Sequence, residues 1–332
     1  MKVLVYSAKE FERPFLDKAN NGIHNLTYVA DRLTSETAMK ALGHKAISIF
    51  SADDASPIVL EKLKDFGVKY ITLRSAGHDN INVAMARKLK FKVANAPDYS
   101  PHAIAEHGVA LLQSFNRRIV KSQQQIRRNN FSLDQLVGMD IHNKKVGVMG
   151  TGRIGSVLTK IMYGFGCSLY ANDTVIDETL QSQYDVDYIS KEALCRTVDI
   201  LFVCLPLTTE TYHLIDESFL NSLEHRPLIV NIARGAIVKT KDILRALDEG
   251  QVSGYVTDVY EKESGIFFYD HSDGPYLEDP QLLRLLNHPK VLLTPHQAFA
   301  TREALKNIAQ RTIKNLDAWE AGKVAACELV TS

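Results

Sequence analysis

Short apolar runs separated by helix-periodic segments recur along almost the whole chain. In the first third, runs at 2–6, 26–29, 46–50, 70–73 and 92–94 read as strands, with helical patterns at 56–66 and 82–89 between them. The stretch Asn95-Ala96-Pro97-Asp98-Tyr99-Ser100-Pro101 breaks this rhythm. Ser100 suits a helix N-cap and Pro101 the first helical position, which predicts a long helix through Ala103, Ala105, Val109 and Leu112. A second series of strands follows near 146–149, 169–171, 200–204, 228–232, 253–257 and 291–293, and then a last long helix at 301–321. Strands alternating with helices predict the α/β class, here two Rossmann-like or flavodoxin-like parallel-sheet domains. Six strands in the second series is the number expected of a doubly wound nucleotide fold. One long helix enters that series and another leaves it. The simplest arrangement is a domain at 100–298 inserted into a discontinuous domain made of 1–99 and 299–332.

The first strand of the second series runs into Gly150-Thr151-Gly152-Arg153-Ile154-Gly155, and a helix-like segment follows at once. Gly150 allows the tight turn, Gly152 lets backbone approach a pyrophosphate, and Gly155 lets helix and strand pack closely. A helix N-terminus offers N–H groups and partial positive charge to a diphosphate. Asp173 closes the next apolar run, about twenty residues on, where a carboxylate accepts from ribose hydroxyls and repels a 2′-phosphate. A Gly-x-Gly-x-x-Gly alone is weak evidence. With the strand before, the helix after and the acid at the right distance, it predicts an NAD site.

Composition narrows the partners. Lys plus Arg and Asp plus Glu both total 39, so no global charge favours nucleic acid. The basic cluster from Arg117-Arg118 to Arg127-Arg128 is spaced around Ile119, Val120 and Ile126, as on the solvated face of a helix. Cys167, Cys195, Cys204 and Cys327 show neither disulfide nor metal spacing, so no metal is expected and reduced thiols suit a cytoplasmic protein. Met1 to Tyr6 is too short an apolar run for a signal peptide, and no stretch approaches membrane-spanning length.

Three strand ends carry chemistry-bearing residues, at the edge where ligands bind in open α/β sheets. These are Asn231-Ile232-Ala233-Arg234-Gly235, Thr257-Asp258-Val259-Tyr260-Glu261-Lys262-Glu263 and Thr294-Pro295-His296-Gln297. Singly, each has a plain structural reading: a surface arginine, a solvated acid, a histidine packed against the next helix. Together, in an NAD-binding chain, they form a coherent set. Arginine forks onto a carboxylate, histidine exchanges a proton near neutral pH, and a carboxylate orients the imidazole. Reversible hydride transfer between a nicotinamide and a 2-keto acid needs that combination.

These segments, with Ser75-Ala76-Gly77-His78-Asp79-Asn80-Ile81, Tyr99-Ser100-Pro101, Ala105-Glu106-His107, Cys204-Leu205-Pro206-Leu207-Thr208 and Pro295-His296-Gln297-Ala298-Phe299, resemble the D-isomer-specific 2-hydroxyacid dehydrogenase family. The tract Glu263-Ser264-Gly265-Ile266-Phe267-Phe268-Tyr269-Asp270 and the ending Glu328-Leu329-Val330 resemble its fermentative NAD-dependent D-lactate branch. The resemblance implies Arg234, Glu263 and His296 as the catalytic residues. It implies cofactor contacts from Gly150, Gly152, Arg153, Ile154, Gly155, Asp173, Leu205, Pro206, Thr211, Ala233 and Asp258. It implies a substrate site at Ala76, Gly77, Tyr99, Arg234 and Phe299, with 1–99 and 299–332 as the substrate domain and 100–298 as the NAD domain. Pyruvate and D-lactate are the implied substrates. A glyoxylate, hydroxypyruvate or bulkier 2-hydroxy acid enzyme and a non-enzymatic NAD-sensing corepressor are the alternatives. Formate dehydrogenases on this scaffold carry glutamine where this chain has Glu263. A homodimer through the NAD domain, with a tetramer possible, is the implied assembly, and neither nucleic acid nor membrane is an expected partner. The segment 264–280 has little periodicity, and neither it nor His78 receives a role.

Overall fold

The computed structural model describes residues 1–274 and 278–330, so the middle of the 264–280 segment, residues 275–277, lies outside the described residues. The chain forms two compact units: Met1–Ser100 together with the C-terminal part from Phe299, and Pro101–Ala298.

The first unit contains β1 (Lys2–Val5), α1 (Arg13–Asn20), β2 (Asn25–Tyr28), β3 (Ala46–Ile49), α2 (Pro57–Asp65), β4 (Tyr70–Leu73), α3 (Val83–Lys88) and β5 (Lys92–Ala94). Its sheet runs in the order β2-β1-β3-β4-β5 with every pairing parallel. Strands covered on both faces read as continuous apolar runs, which is why Val3, Leu4, Val5, Ile47, Ile49, Ile71 and Leu73 are all buried.

The second unit contains α4 (Pro101–Asn116), α5 (Ile119–Ile126), β6 (Lys145–Met149), α6 (Arg153–Gly164), β7 (Ser168–Asn172), α7 (Glu178–Tyr184) and β8 (Val186–Tyr188). It continues through α8 (Lys191–Thr197), β9 (Ile200–Val203), α9 (Glu217–Asn221), β10 (Leu228–Asn231), α10 (Thr240–Asp248), β11 (Gly254–Thr257), α11 (Pro280–Asn287) and β12 (Val291–Leu293). The chain then returns to the first unit as α12 (Arg302–Glu320), capped by the Thr301 hydroxyl. Trp319 of α12 is buried, with its ring stacked on Tyr70 of β4 at 5.2 Å, and Ile313 and Leu316 join Val3 and Ala46 in one apolar cluster. Such an aromatic pair adds about 0.5–1.5 kcal/mol beyond its buried area, so the C-terminal helix is part of the first unit's core.

The second sheet is β12-β11-β10-β9-β6-β7-β8, again all parallel. It has seven strands, which corrects the expected six. The strand absent from the sequence reading is β8, a three-residue edge strand with an aspartate at its centre, too short and too polar to register as an apolar run. Strand order reverses between β6 and β9, the switch point at which such sheets open a ligand crevice. α5 buries none of its residues, and Ile119, Val120 and Ile126 are exposed.

Candidate functional site

The glycine loop lies at the switch point of the second sheet. Gly150 follows β6 with φ of +89°, and a Cβ there would stand 2.8 Å from the Cys204 carbonyl oxygen just beyond β9. A Cβ at Gly155 would run into the Gly150 carbonyl, so α6 packs against the turn only because that residue is glycine. Gly152, the N-cap of α6, is the opposite case, because a Cβ there would meet nothing within 4 Å. The loop is therefore closed on its protein side and open at Gly152, in front of the first turn of α6 that carries Arg153 and Ile154.

Asp173 follows β7. Its Oδ2 accepts from the Thr151 N–H (2.6 Å) and hydroxyl (3.2 Å), and its Oδ1 accepts from the Val175 N–H (3.1 Å). Burial pushes the Asp173 carboxyl upward, but the hydrogen bonds from Thr151 and Val175 outweigh it and hold the group below the usual carboxylate range. The acid is anionic at neutral pH and braces the glycine loop. The unforeseen β8 contributes here, since the Tyr188 hydroxyl donates to Thr151 Oγ1 at 2.9 Å. Leu205, Pro206 and Thr211 share the loop after β9, which the Thr211 hydroxyl closes by donating to the Pro206 carbonyl at 2.6 Å. An open backbone cradle at a helix N-terminus, with a carboxylate fixed beside it, fits an adenosine diphosphate moiety.

Three neighbouring strands, β10, β11 and β12, bring the other residues of this unit together. Beyond β10, the Asn231 side chain accepts from the Ala233 N–H (3.1 Å) and donates to the Arg234 carbonyl (3.0 Å), while Arg234 Nη1 donates to the Ala233 carbonyl (2.9 Å). A Cβ at Gly235 would collide with the backbone of Tyr260 and Glu261, so the arginine turn and the acidic turn beyond β11 are locked backbone to backbone. In that acidic turn, Glu263 Oε2 accepts from the Tyr260 N–H (3.0 Å) and Oε1 lies 2.7 Å from His296 Nδ1. A carboxylate only accepts, so Nδ1 carries a proton and Nε2 is the nitrogen that can exchange one.

His296 itself has φ of +55° and donates its backbone N–H to the Asp258 carbonyl at 2.7 Å. The Asp258 side chain is 1% exposed and organises the turn that carries His296. Its Oδ1 accepts from the Thr294 hydroxyl (2.6 Å) and the Gln297 N–H (2.9 Å), and its Oδ2 accepts from the Ala298 N–H (2.8 Å). His107 of α4 adds Nε2 at 3.3 Å from Oδ1. Sequence reasoning gave Asp258 a cofactor contact and did not foresee this bracing. The only hint was His107 in Ala105-Glu106-His107, 151 residues away in the chain and without local periodicity to connect them.

Ala76, Gly77, Tyr99 and Phe299 belong to the first unit. The loop beyond β4 is pinned where the Ser75 hydroxyl donates to the Gly77 carbonyl and the Asn95 amide to the Ala76 carbonyl, both at 2.7 Å. Beneath it lies Arg74, fully buried and unforeseen, donating Nε and Nη2 to Glu12 at 2.9 and 3.0 Å and Nη2 to the Tyr6 carbonyl at 2.7 Å. The Phe299 ring packs against Phe50 at 5.9 Å and Phe11 at 6.3 Å, and the Tyr99 carbonyl accepts from Asn307 of α12. His78 is exposed. Among the described residues, no group of three or more His, Cys, Asp or Glu side chains could hold a metal ion, and no helix is long and apolar enough to cross a membrane.

Residues 109–298 match the family described as D-isomer specific 2-hydroxyacid dehydrogenase, NAD binding domain. The chain is similar to a 2-hydroxyacid dehydrogenase homolog of Zymomonas mobilis, with 40% identity over 97% of this chain and 98% of that protein. It is also similar to the D-lactate dehydrogenase of Escherichia coli, with 38% identity over 99% of this chain and all of that protein. Among solved structures, the D-lactate dehydrogenase of Aquifex aeolicus complexed with NAD and lactic acid matches with a TM-score of 0.88 and 27% identity, covering 99% of each chain.

Proposed function

The chain belongs to the D-isomer-specific 2-hydroxyacid dehydrogenases, an NAD-binding family, and from that premise we propose that it reduces pyruvate to D-lactate and catalyses the reverse oxidation. The observation that carries the reading is the 2.7 Å contact between His296 Nδ1 and Glu263 at the end of one strand, with Arg234 at the end of another strand of the same sheet. NADH, when bound, supplies the hydride. Gly150, Gly152, Arg153, Ile154 and Gly155 receive the diphosphate, and Asp173 the adenosine ribose. Leu205, Pro206 and Thr211 line the adenosine side, with Ala233 and Asp258 toward the nicotinamide. Arg234 forks onto the substrate carboxylate and, with the Ala76-Gly77 loop, fixes the keto acid, while Tyr99 and Phe299 limit its side chain. His296 gives its Nε2 proton to the carbonyl oxygen as the carbon is reduced, and Glu263 steadies the imidazolium before transfer. In lactate oxidation the neutral imidazole takes the hydroxyl proton.

On this reading 1–99 and 299–332 form the substrate domain and 100–298 the NAD domain. The four free cysteines support a reducing, cytoplasmic setting. The exposed apolar residues of α5, continued by Phe131 at 72% exposure and Leu133 at 76%, support a homodimer formed through the NAD domain, and possible further pairing to a tetramer. Light scattering that gives only the 37.1 kDa monomer at micromolar concentration, with full activity, refutes the dimer. The function itself is tested by following NADH oxidation over a panel of 2-keto acids and assaying the chirality of the product. Pyruvate should give the highest kcat/KM and yield D-lactate. A strong preference for glyoxylate, hydroxypyruvate or a branched or aromatic keto acid would overturn the substrate assignment and leave the family intact.

A further inference from the structure

The segment that follows Glu263 folds straight back on itself. The Glu263 carbonyl accepts from both the Ile266 and the Phe267 N–H groups, at 2.9 and 3.0 Å. Phe267 then turns into the core of the second unit, 6% exposed and against Tyr260 at 6.4 Å. The next residue, Phe268, has φ of +71°, in the left-handed region that bulky L side chains rarely enter. Such a backbone persists only when its surroundings over-determine it, and residues held this way cluster at functional sites. With Phe267 anchored inward, the left-handed turn sends the Phe268 ring toward His296, where the ring centroids lie 5.4 Å apart with the planes tilted by 44°. The imidazole thus meets Glu263 through Nδ1 and lies beside the tilted Phe268 ring.

We propose that Phe268 is a positioning residue for proton transfer: its aromatic ring holds the His296 imidazole in the orientation set by Glu263. This rests on the reading of His296 as the proton donor. An aromatic face carries a negative quadrupole, and a cation within about 6 Å of the ring centroid is attracted to it. The Glu263 carboxylate and the Phe268 ring therefore both hold the imidazole, one through a hydrogen bond and one through a ring centred 5.4 Å away. A side chain of similar size without a π system fills the same space and supplies neither the attraction nor the rigid ring edge that limits rotation of the imidazole. The segment that received no role from its sequence thereby gains one, as the support behind the acid.

The experiment compares wild type with F268L, F268M, F268Y, F268W and H296A, measuring kcat and KM for pyruvate, the NADH dissociation constant and the melting temperature. F268L and F268M should lose on the order of tenfold in kcat, the factor expected for a contact of this kind, with KM and NADH affinity nearly unchanged. At least one of F268Y and F268W should stay within about threefold of wild type, because either restores a ring face. Wild-type kcat in both aliphatic variants overturns the inference. So does failure of both aromatic variants to recover rate, or a fall in NADH affinity that matches the fall in kcat, since each marks a packing role alone. H296A separates the two levels. If H296A is inactive while F268L is unimpaired, only the positioning role fails; if H296A retains wild-type turnover, the proton-donor reading fails and the inference with it.

Discussion

Replacing Asp258 with asparagine should cost both stability and rate, and the structure sets the size of each. The carboxylate is 1% exposed, with Oδ1 accepting from the Thr294 hydroxyl and the Gln297 N–H and Oδ2 from the Ala298 N–H. Asparagine keeps the shape but turns one acceptor into a donor. Its less costly orientation leaves the carbonyl oxygen toward Thr294 and Gln297 and sets the amide N–H group against the Ala298 N–H. Two buried donors, the new amide and the Ala298 N–H, are then unmatched, at about 1–3 kcal/mol each. The remaining hydrogen bonds lose their ionic assistance, about another 0.5–1 kcal/mol in all. A total of about 3–7 kcal/mol is within the roughly 5–15 kcal/mol that typically holds a domain, so D258N folds and melts roughly 10–25 °C lower.

The rate follows from where the damage falls. The turn held by this carboxylate carries His296, and a displacement of about 1 Å at a reacting group can cost on the order of 10²-fold. Thermal denaturation and steady-state pyruvate reduction on the same preparations test both parts. The reasoning fails if D258N melts with wild type, or if it melts lower but turns over at the wild-type rate.

Four further outcomes follow from the site. H296A should lose about 10²–10⁴-fold in turnover with NADH affinity nearly unchanged, and an equal loss of both by fluorescence titration would make the residue structural. E263Q should remain active but with a lower kcat for keto-acid reduction and NADH affinity nearly unchanged, because the imidazole no longer has a carboxylate to orient it; a wild-type kcat would break the proposed pairing. Neutralising Asp173 should raise NADPH use relative to NADH, and wild type that already accepts NADPH would refute its role. Burial raises the Glu261 carboxyl, but hydrogen bonds from Thr240 and His213 reverse this and hold it below its usual 4.5, so its stabilisation is present above that value and fades as pH falls through the depressed one. The stability gap between wild type and E261Q, measured by urea titration, should therefore be full near neutrality and shrink in acid.

What could be read from the sequence was local or was fixed by topology. The glycine loop is a contiguous signal, because each of its demands falls within six residues of chain. The placement of Arg234, Glu263 and His296 beyond three neighbouring strands was legible because a parallel sheet sends every strand end to the same edge, so three separate apolar runs each led to that edge. The rest depended on contacts with no sequence period. Arg74 and Glu12 lie 62 residues apart and read as ordinary charges until the fold buries them together. The edge strand β8 has three residues, too few for a pattern, yet it holds Tyr188 against the glycine loop. Phe268 reaches His296 through a left-handed backbone that nothing in its neighbours' composition announces.

The same sheet order bears on substrate size. Adjacent strands lie about 4.8 Å apart, so the ends of β10 and β12, with β11 between them, are separated by roughly 10 Å. Arg234 and His296 follow those two strand ends. In a 2-keto acid the carboxylate and the carbonyl oxygen are on adjacent carbons, so on the roles proposed for Arg234 and His296 a fork and a proton donor carried by nearby strand ends can grip both at once. Glu263, from the turn after the middle strand, supports His296. Tight locking of the arginine turn against the Tyr260-Glu261 backbone keeps the spacing from drifting, which is why Gly235 has to be a glycine. On the roles proposed for Arg234 and His296, strand order in the second unit favours the 2-keto position, and the remaining choice among 2-keto acids falls to whatever limits the side chain.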